Sequence, residues 1–470
     1  MSTLCMVKTF SYLDMSTFHL ICILVTIVLY SCSWYYCMSL TNDRFIMKHD
    51  ITSHTDLDDQ DHIINYCNTH QNVRGQEGMV KPGYTLKEVH IVLTPGFTDV
   101  SSKVKIQGQN YPVMSCSDRN ESATWFTKFK TTSHTYNIAN HNLHFKQFHP
   151  TFPDDCFYNH LTLHGLQQMI SIGQHLHATY LSNYAHKKLT GHYSSTHVRS
   201  IPSQPSYQSL LAFLHGFQND KQLHKTKIHE SRGDFCEHNE VGLNTCNCAR
   251  VRELSPFAFK SSLKGSYMFK DAFPHKEEIY NLLNLDNTTT ASGVELLQLL
   301  TQYKCNDQSR SLCMSHKHCH QIDDQKLSVL HKTLAKSVIS LYSDGNFREH
   351  SELRMYPFLE QLMMHVTRHD SSQTINVYMG DKHFMQYLLT TLNIFKNQVM
   401  PMASRLIFEV YRKNRGQLNE DDLYIRVLYN GEDITETMFL CSNYIENGLC
   451  RISRFQSFIT VLREQYMKNC

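Results

Sequence analysis

Apolar and polar positions divide the chain into a hydrophobic opening, an irregular polar stretch and a long region of short strands and amphipathic helices. No Asp, Glu, Lys or Arg occurs between Met15 and Asn42, and the run from Leu20 to Tyr30 is almost wholly apolar. The stretch reaches the roughly 20 residues needed to cross a bilayer. Trp34, Tyr35 and Tyr36 follow it as an interfacial belt would. The pattern predicts a short cytosolic tail over 1–18, a signal-anchor over 19–40 and a polar stem over 41–83. A cleaved signal peptide ending near Ser31-Cys32-Ser33 is the alternative. Residues 84–470 read as one α/β domain. Lys87 to Leu93 predicts a buried strand closed by Thr94-Pro95-Gly96. Leu166, Met169, Ile170, Gly173, Leu176 and Tyr180 recur at helical spacing, and a second helix is predicted over 207–217. Residues 218–330 read as an inserted helical, disulfide-rich cap, followed by helices at about 324–344 and 352–366. Strands are predicted at 374–379, 404–411 and 424–429, the last leading into the hairpin pair Asn430-Gly431.

Charge and cysteine content refine this picture. Lys plus Arg total 45 against 43 Asp plus Glu. Nucleic-acid backbones demand a clear basic excess, so nucleic acid is excluded as the main partner. The 30 histidines would make the domain more cationic near pH 6, although compositional bias is the favoured account of them. Lys8 precedes the hydrophobic segment while Arg44 and Lys48 follow it, which by charge alone puts the domain in the cytosol. The cysteines point the other way: twelve lie beyond the segment, as expected in an oxidising compartment. Asn120 and Asn287 head glycosylation sequons, which fits the same side of the membrane.

Several fragments together resemble the histidine acid phosphatase family, best its Golgi-resident branch, the 2-phosphoxylose phosphatases. They are Leu161-Thr162 through Gly165, Gln168, Gly173-Gln174 and Tyr180-Leu181; Gln208 to Phe217; Ser404 to Glu409; and Ile425 to Thr435. The cysteines at 67, 236/246/248, 305/313/319 and 441 with 450 follow the branch's pattern. The resemblance implies a three-layer α/β core with a helical cap, a type II Golgi membrane protein with a lumenal domain, and a place in heparan and chondroitin sulfate synthesis. It implies glycan or proteoglycan substrates, or a biosynthetic enzyme, as partners, and no cofactor.

Phosphate transfer through this fold needs a neutral histidine nucleophile, arginines around the phosphoryl oxygens and an acid for the leaving group. The family supplies them with an Arg-His-Gly-x-Arg-x-Pro loop after the first strand, a further Arg, and a late His-Asp pair. Here that loop reads Thr94-Pro95-Gly96-Phe97-Thr98-Asp99-Val100. Thr94 and Thr98 stand at the arginines, and Pro95 stands at the nucleophile. Asp381-Lys382 stand at the late pair. The further arginine falls on Pro205 without a gap, or on Arg199 if a gap is allowed; otherwise Arg199 is a surface residue in a loop. No catalytic residue is retained, and the vestigial cleft comprises Thr94, Pro95, Gly96, Thr98, Arg199, Asp381 and Lys382. Arg368-His369-Asp370 contains a His-Asp pair, but it precedes its strand and reads as a helix end. The run Cys313 to His320 has zinc-like spacing; the resemblance gives its cysteines to disulfides, so no metal is expected.

Overall fold

The computed structural model describes residues 66–68, 73–79, 82–98, 126–133, 160–182, 193–223, 226–231, 248–255, 341–367, 373–394, 400–414 and 423–470, with shorter pieces between 145 and 332. The segment 19–40, Asn120, Asn287, the run 313–320 and Arg368-His369-Asp370 lie outside these residues. Among the described residues no helix is long and apolar enough to cross a membrane. Residues Asp58–Cys470 form one compact unit, so the described parts of the polar stretch, 66–68 and 73–79, are built into the domain.

The first strand, β1 (Tyr84–Leu93), is buried on both sides. Val89, Ile91 and Leu93 enter one core and Val92 enters the other, as befits a strand covered on both faces. It pairs in parallel with β4 (Gln373–Met379) and antiparallel with β5 (Arg405–Lys413). Beyond β4 lie β2 (Tyr193–Ser200) and the short β3 (Ile228–Glu230), both parallel. Beyond β5 lies β6 (Leu423–Tyr429), which turns at Asn430-Gly431 into β7 (Glu432–Asp433), as the hairpin signal predicts. The small strands β8 (Ile445–Glu446) and β9 (Leu449–Arg451) close that side of the sheet.

Helices α1 (Leu163–Leu176) and α2 (Gln204–Phe217) pack on one face. Helices α3 (Gly345–Val366), α4 (Lys382–Thr391) and α5 (Ile452–Asn469) pack on the other, giving three layers. The buried positions of α1 include every apolar residue predicted for it up to Leu176, and a π turn over His177–Leu181 carries Tyr180 inward. Helix α3 begins earlier than its predicted start near 352. Asp344 caps it by accepting the Phe347 N–H at 2.9 Å, and Pro357 is accommodated within it. Disulfides join Cys67 to Cys305, Cys248 to Cys470 and Cys441 to Cys450.

Helices α1 and α2 meet through glycines. A Cβ at Gly173 would stand 2.2 Å from the Phe213 carbonyl oxygen, and one at Gly216 would stand 2.2 Å from that of Ile170. Both obstacles are backbone, so only separation of the helices relieves them. Gly173→Ala and Gly216→Ala are each expected to cost about 1–3 kcal/mol through overpacking. Once the first has parted the helices the second costs less, so the double variant should fall short of the sum. Urea midpoints of the two singles and the double check this; strict additivity would refute the shared contact.

Candidate functional site

The chain leaves β1 towards α1 on one face and leaves β4 towards α4 on the other. The neighbouring carboxyl ends of β1 and β4 are therefore where an open α/β sheet forms a ligand crevice. Leu93 lies beside Met379, and Met379 beside Ser200. The row continues outward: Gly380 N–H donates to Leu93 O at 2.9 Å, Ile201 N–H to Met379 O at 3.1 Å, and Ser231 N–H to Ser200 O at 3.0 Å. The predicted residues Thr94 and Asp381 thus follow neighbouring strand ends at the same edge of the sheet.

The loop 94–98 forms the floor, and its polar groups are already engaged. Thr94 N–H donates to Ser404 O at 2.9 Å, and Thr94 Oγ1 accepts the Ser404 N–H at 2.8 Å. Pro95 O accepts from Ala403 N–H at 2.9 Å. Gly96 N–H donates to Ser209 Oγ and Phe97 N–H to Gln168 Oε1, each at 3.2 Å. Phe97 O accepts from both the N–H and the hydroxyl of Thr162. Thr98 bridges to Leu161. Thr94 and Phe97 are fully buried. A Cβ at Gly96 would lie 2.5 Å from Gly165 O, so the retained glycine serves the close approach of loop to helix. The sequence Thr-Pro-Gly-Phe-Thr folds here into a packed turn whose donors face protein acceptors.

Arg199 lies in β2, paired opposite Tyr378, rather than in a loop. Its guanidinium donates to Gln361 Oε1 of α3 at 2.6 Å, so it is half-buried under that helix. The chain turns from β2 straight into α2: Ser203 N–H donates to Ile201 O, Ser203 caps the helix and Pro205 sits in its first turn. Ser206 Oγ donates to Gly380 O at 3.3 Å, which brings α2 to the crevice.

Asp381 caps α4, its Oδ1 accepting the Phe384 N–H at 2.7 Å. Its side chain is 34% exposed, and Oδ2 lies 3.9 Å from His383 Nδ1. Burial pushes this carboxyl up, but His383, the Phe384 N–H and the Arg354 guanidinium outweigh it and hold it below the usual range. The carboxylate in turn raises the His383 imidazole. Lys382 is half-exposed in the first turn. His383 and Arg354 were not singled out from the sequence. The Asp-x-His spacing across a helix start was the signal for His383; Arg354, fully buried and 5.1 Å from the Tyr387 ring centroid, left none. Arg405 also ends near β1, opposite Leu93, but its Nε donates to Glu77 Oε1 at 2.8 Å and its Nη2 to Arg74 O at 2.9 Å. Among the described residues no group of His, Cys, Asp or Glu could hold a metal ion.

Around these strand ends stand a fixed negative charge and hydroxyl groups already engaged by the protein, where phosphate transfer needs an imidazole between guanidinium groups. No family model matches the chain. It is 22% identical to 2-phosphoxylose phosphatase 1 of Xenopus tropicalis over 326 residues, covering 65% of this chain and 59% of that protein. It is also 22% identical to 2-phosphoxylose phosphatase 1 of Mus musculus over 333 residues, covering 66% and 64% respectively. The chain thus spans about three fifths of the length of the curated relatives it matches. Among solved structures, the multiple inositol polyphosphate phosphatase of Bifidobacterium longum superposes with a TM-score of 0.52 at 11% identity, covering 81% of this chain and 93% of that one. By sequence the chain is similar to the 2-phosphoxylose phosphatases, and its fold is that of the histidine acid phosphatases.

Proposed function

We propose that this protein is a non-catalytic member of its group, a lumenal pseudophosphatase that binds a glycan or a biosynthetic enzyme through the inherited crevice. The observation that carries this reading is the loop after β1. It has Pro95 at the nucleophile and Thr94 and Thr98 at the arginines, and its backbone donors are spent on Ser404, Ser209 and Gln168. Proline offers no lone pair for attack on phosphorus, and an anionic Asp381 repels a phosphate dianion. The disulfides among the described residues fit an oxidising compartment, which supports a lumenal domain behind a membrane segment at 19–40, in the Golgi as for the branch it resembles. The similarity to 2-phosphoxylose phosphatase supports a place in proteoglycan linkage-region synthesis.

The purified full chain is expected to show no hydrolysis of p-nitrophenyl phosphate or of a glycan carrying 2-phosphoxylose. Each missing transition-state contact is worth about 2.7–4 kcal/mol, so losing the clamp and the nucleophile together lowers the rate by many decades. Turnover abolished by Pro95→Ala or Asp381→Ala would sink this reading and establish the second one, an active hydrolase removing phosphate from xylose.

A further inference from the structure

Tyr66, Cys67 and Asn68 lie against the crevice floor and join it to the cap region. The side-chain amide of Gln168, itself fully buried, sits between the two. Its Nε2 donates to Cys67 O at 2.7 Å and to Asn68 O at 3.0 Å, while its Oε1 accepts the Phe97 N–H. A second chain of bonds runs parallel to it. Asn68 Nδ2 donates to the carbonyls of Met402 and Ala403 at 3.0 Å, and Ala403 N–H donates to Pro95 O. The Tyr66 ring, nearly buried, stands 6.4 Å from that of Phe97 and 4.7 Å from that of His331. His331 is in turn bonded to Thr301 Oγ1 at 2.9 Å. The Cys67–Cys305 disulfide fastens the same three residues to this part of the chain.

We propose that Tyr66–Asn68 is a strap that holds the loop 94–98 shut, anchored in the cap region by Cys67–Cys305. Closure of the floor is then conditional on the strap. With the strap released, the Gln168 amide loses both of its acceptors, Phe97 keeps His164 at 5.2 Å but loses Tyr66, and the turn at 402–403 loses the amide that fixes it against Pro95. The Phe97 N–H, whose acceptor on Gln168 is no longer fixed, then becomes available at the end of β1, while Gly96 N–H keeps its partner Ser209 Oγ. Failure of this idea leaves the non-catalytic reading untouched, since that reading rests on the identity of Thr94, Pro95 and Thr98.

Hydrogen exchange on the full chain tests the strap. Two variants are compared with wild type: Cys67→Ser with Cys305→Ser, which cuts the anchor, and Tyr66→Ala with Asn68→Ala, which leaves the disulfide in place. Both are expected to raise exchange in peptides covering 94–98 by about tenfold or more through local opening, while peptides over β4 keep their wild-type protection. Unchanged protection of 94–98 in both variants overturns the proposal. So does a rise of equal size in β4, which would make the disulfide and its neighbours a general staple.

Discussion

Glu409→Leu is expected to cost about 5 kcal/mol, enough to leave a domain with the usual margin of about 5–15 kcal/mol largely unfolded or poorly soluble. Glu409 is fully buried on β5 and gathers four donors. Gly78 N–H and the hydroxyls of Tyr180 and Tyr411 reach it at 2.6 Å, and Arg426 Nη1 reaches it at 3.3 Å. Burial and the Glu409 charge push both phenols well above their ordinary values, so they stay protonated as donors. Removing the carboxylate strands the Gly78 N–H and the two phenol hydroxyls and leaves the arginine with Asp433 as its remaining carboxylate and the Gln76 carbonyl beside it. Orphaned buried donors cost about 1–3 kcal/mol each, more when charged. Tyr411→Phe, which deletes one donor and leaves the carboxylate served by three, should cost about 1 kcal/mol. Urea unfolding of both variants decides the matter: a Glu409→Leu loss no larger than that of Tyr411→Phe would show that the network contributes little.

The second large effect is acid sensitivity at Glu77. Burial raises this carboxyl, but His175 and the Arg405 guanidinium reverse the effect and hold it at about 2, against an ordinary 4.5. The unfolded chain takes up this proton first as pH falls. The stability contributed by the Glu77 anion is therefore complete above about pH 4.5 and drains away down to about pH 2. A shift of that size corresponds to about 3 kcal/mol. Glu77→Gln should be less stable than wild type by at least that much at neutral pH, and the gap between the two should close as pH approaches 2. A gap that stays constant across pH 2–5 would contradict the assignment. Because Gln76, Glu77 and Gly78 tie the polar stretch to β5 and β6, the variant should also free residues 73–79 to exchange.

The frame of the domain was legible because each strand and helix carries its own periodicity. Val89, Ile91 and Leu93 against Val92 mark a strand covered on both faces. Leu166, Met169, Ile170 and Leu176 mark one side of a helix, and Asn430-Gly431 marks a hairpin. Element starts were less visible, since they depend on single capping side chains. Asp344 lengthens α3, and Ser203 starts α2 at Gln204. That Thr94 and Asp381 follow neighbouring strand ends is a matter of topology, which the resemblance supplied and periodicity does not. What the sequence could not disclose is where long-range partners stand. Glu77 belongs to a stretch that reads as polar linker, yet its side chain is fully buried against an arginine from β5. Arg199 lies in β2, its side chain drawn to Gln361 on α3. Gln168 has the look of an ordinary helix-surface amide and instead bridges two segments far apart in sequence. None of these pairings has a local signature.

The place of β1 in the sheet has a bearing on biogenesis. This strand is made early, yet its two neighbours come from opposite directions much later in the chain: β4 pairs His90 with Asn376, and β5 pairs Ile91 with Ile407. Such high contact order slows folding. At roughly 5–20 residues per second, some 300 residues separate the appearance of β1 from that of its partners, an interval of tens of seconds. Throughout it the segment from Val89 to Leu93 has no strand to pair with, and its apolar side chains are available to chaperones or to other nascent chains. The domain closes only once the β4 and β5 segments have emerged, so truncations ahead of β5 should yield aggregates in place of soluble intermediates.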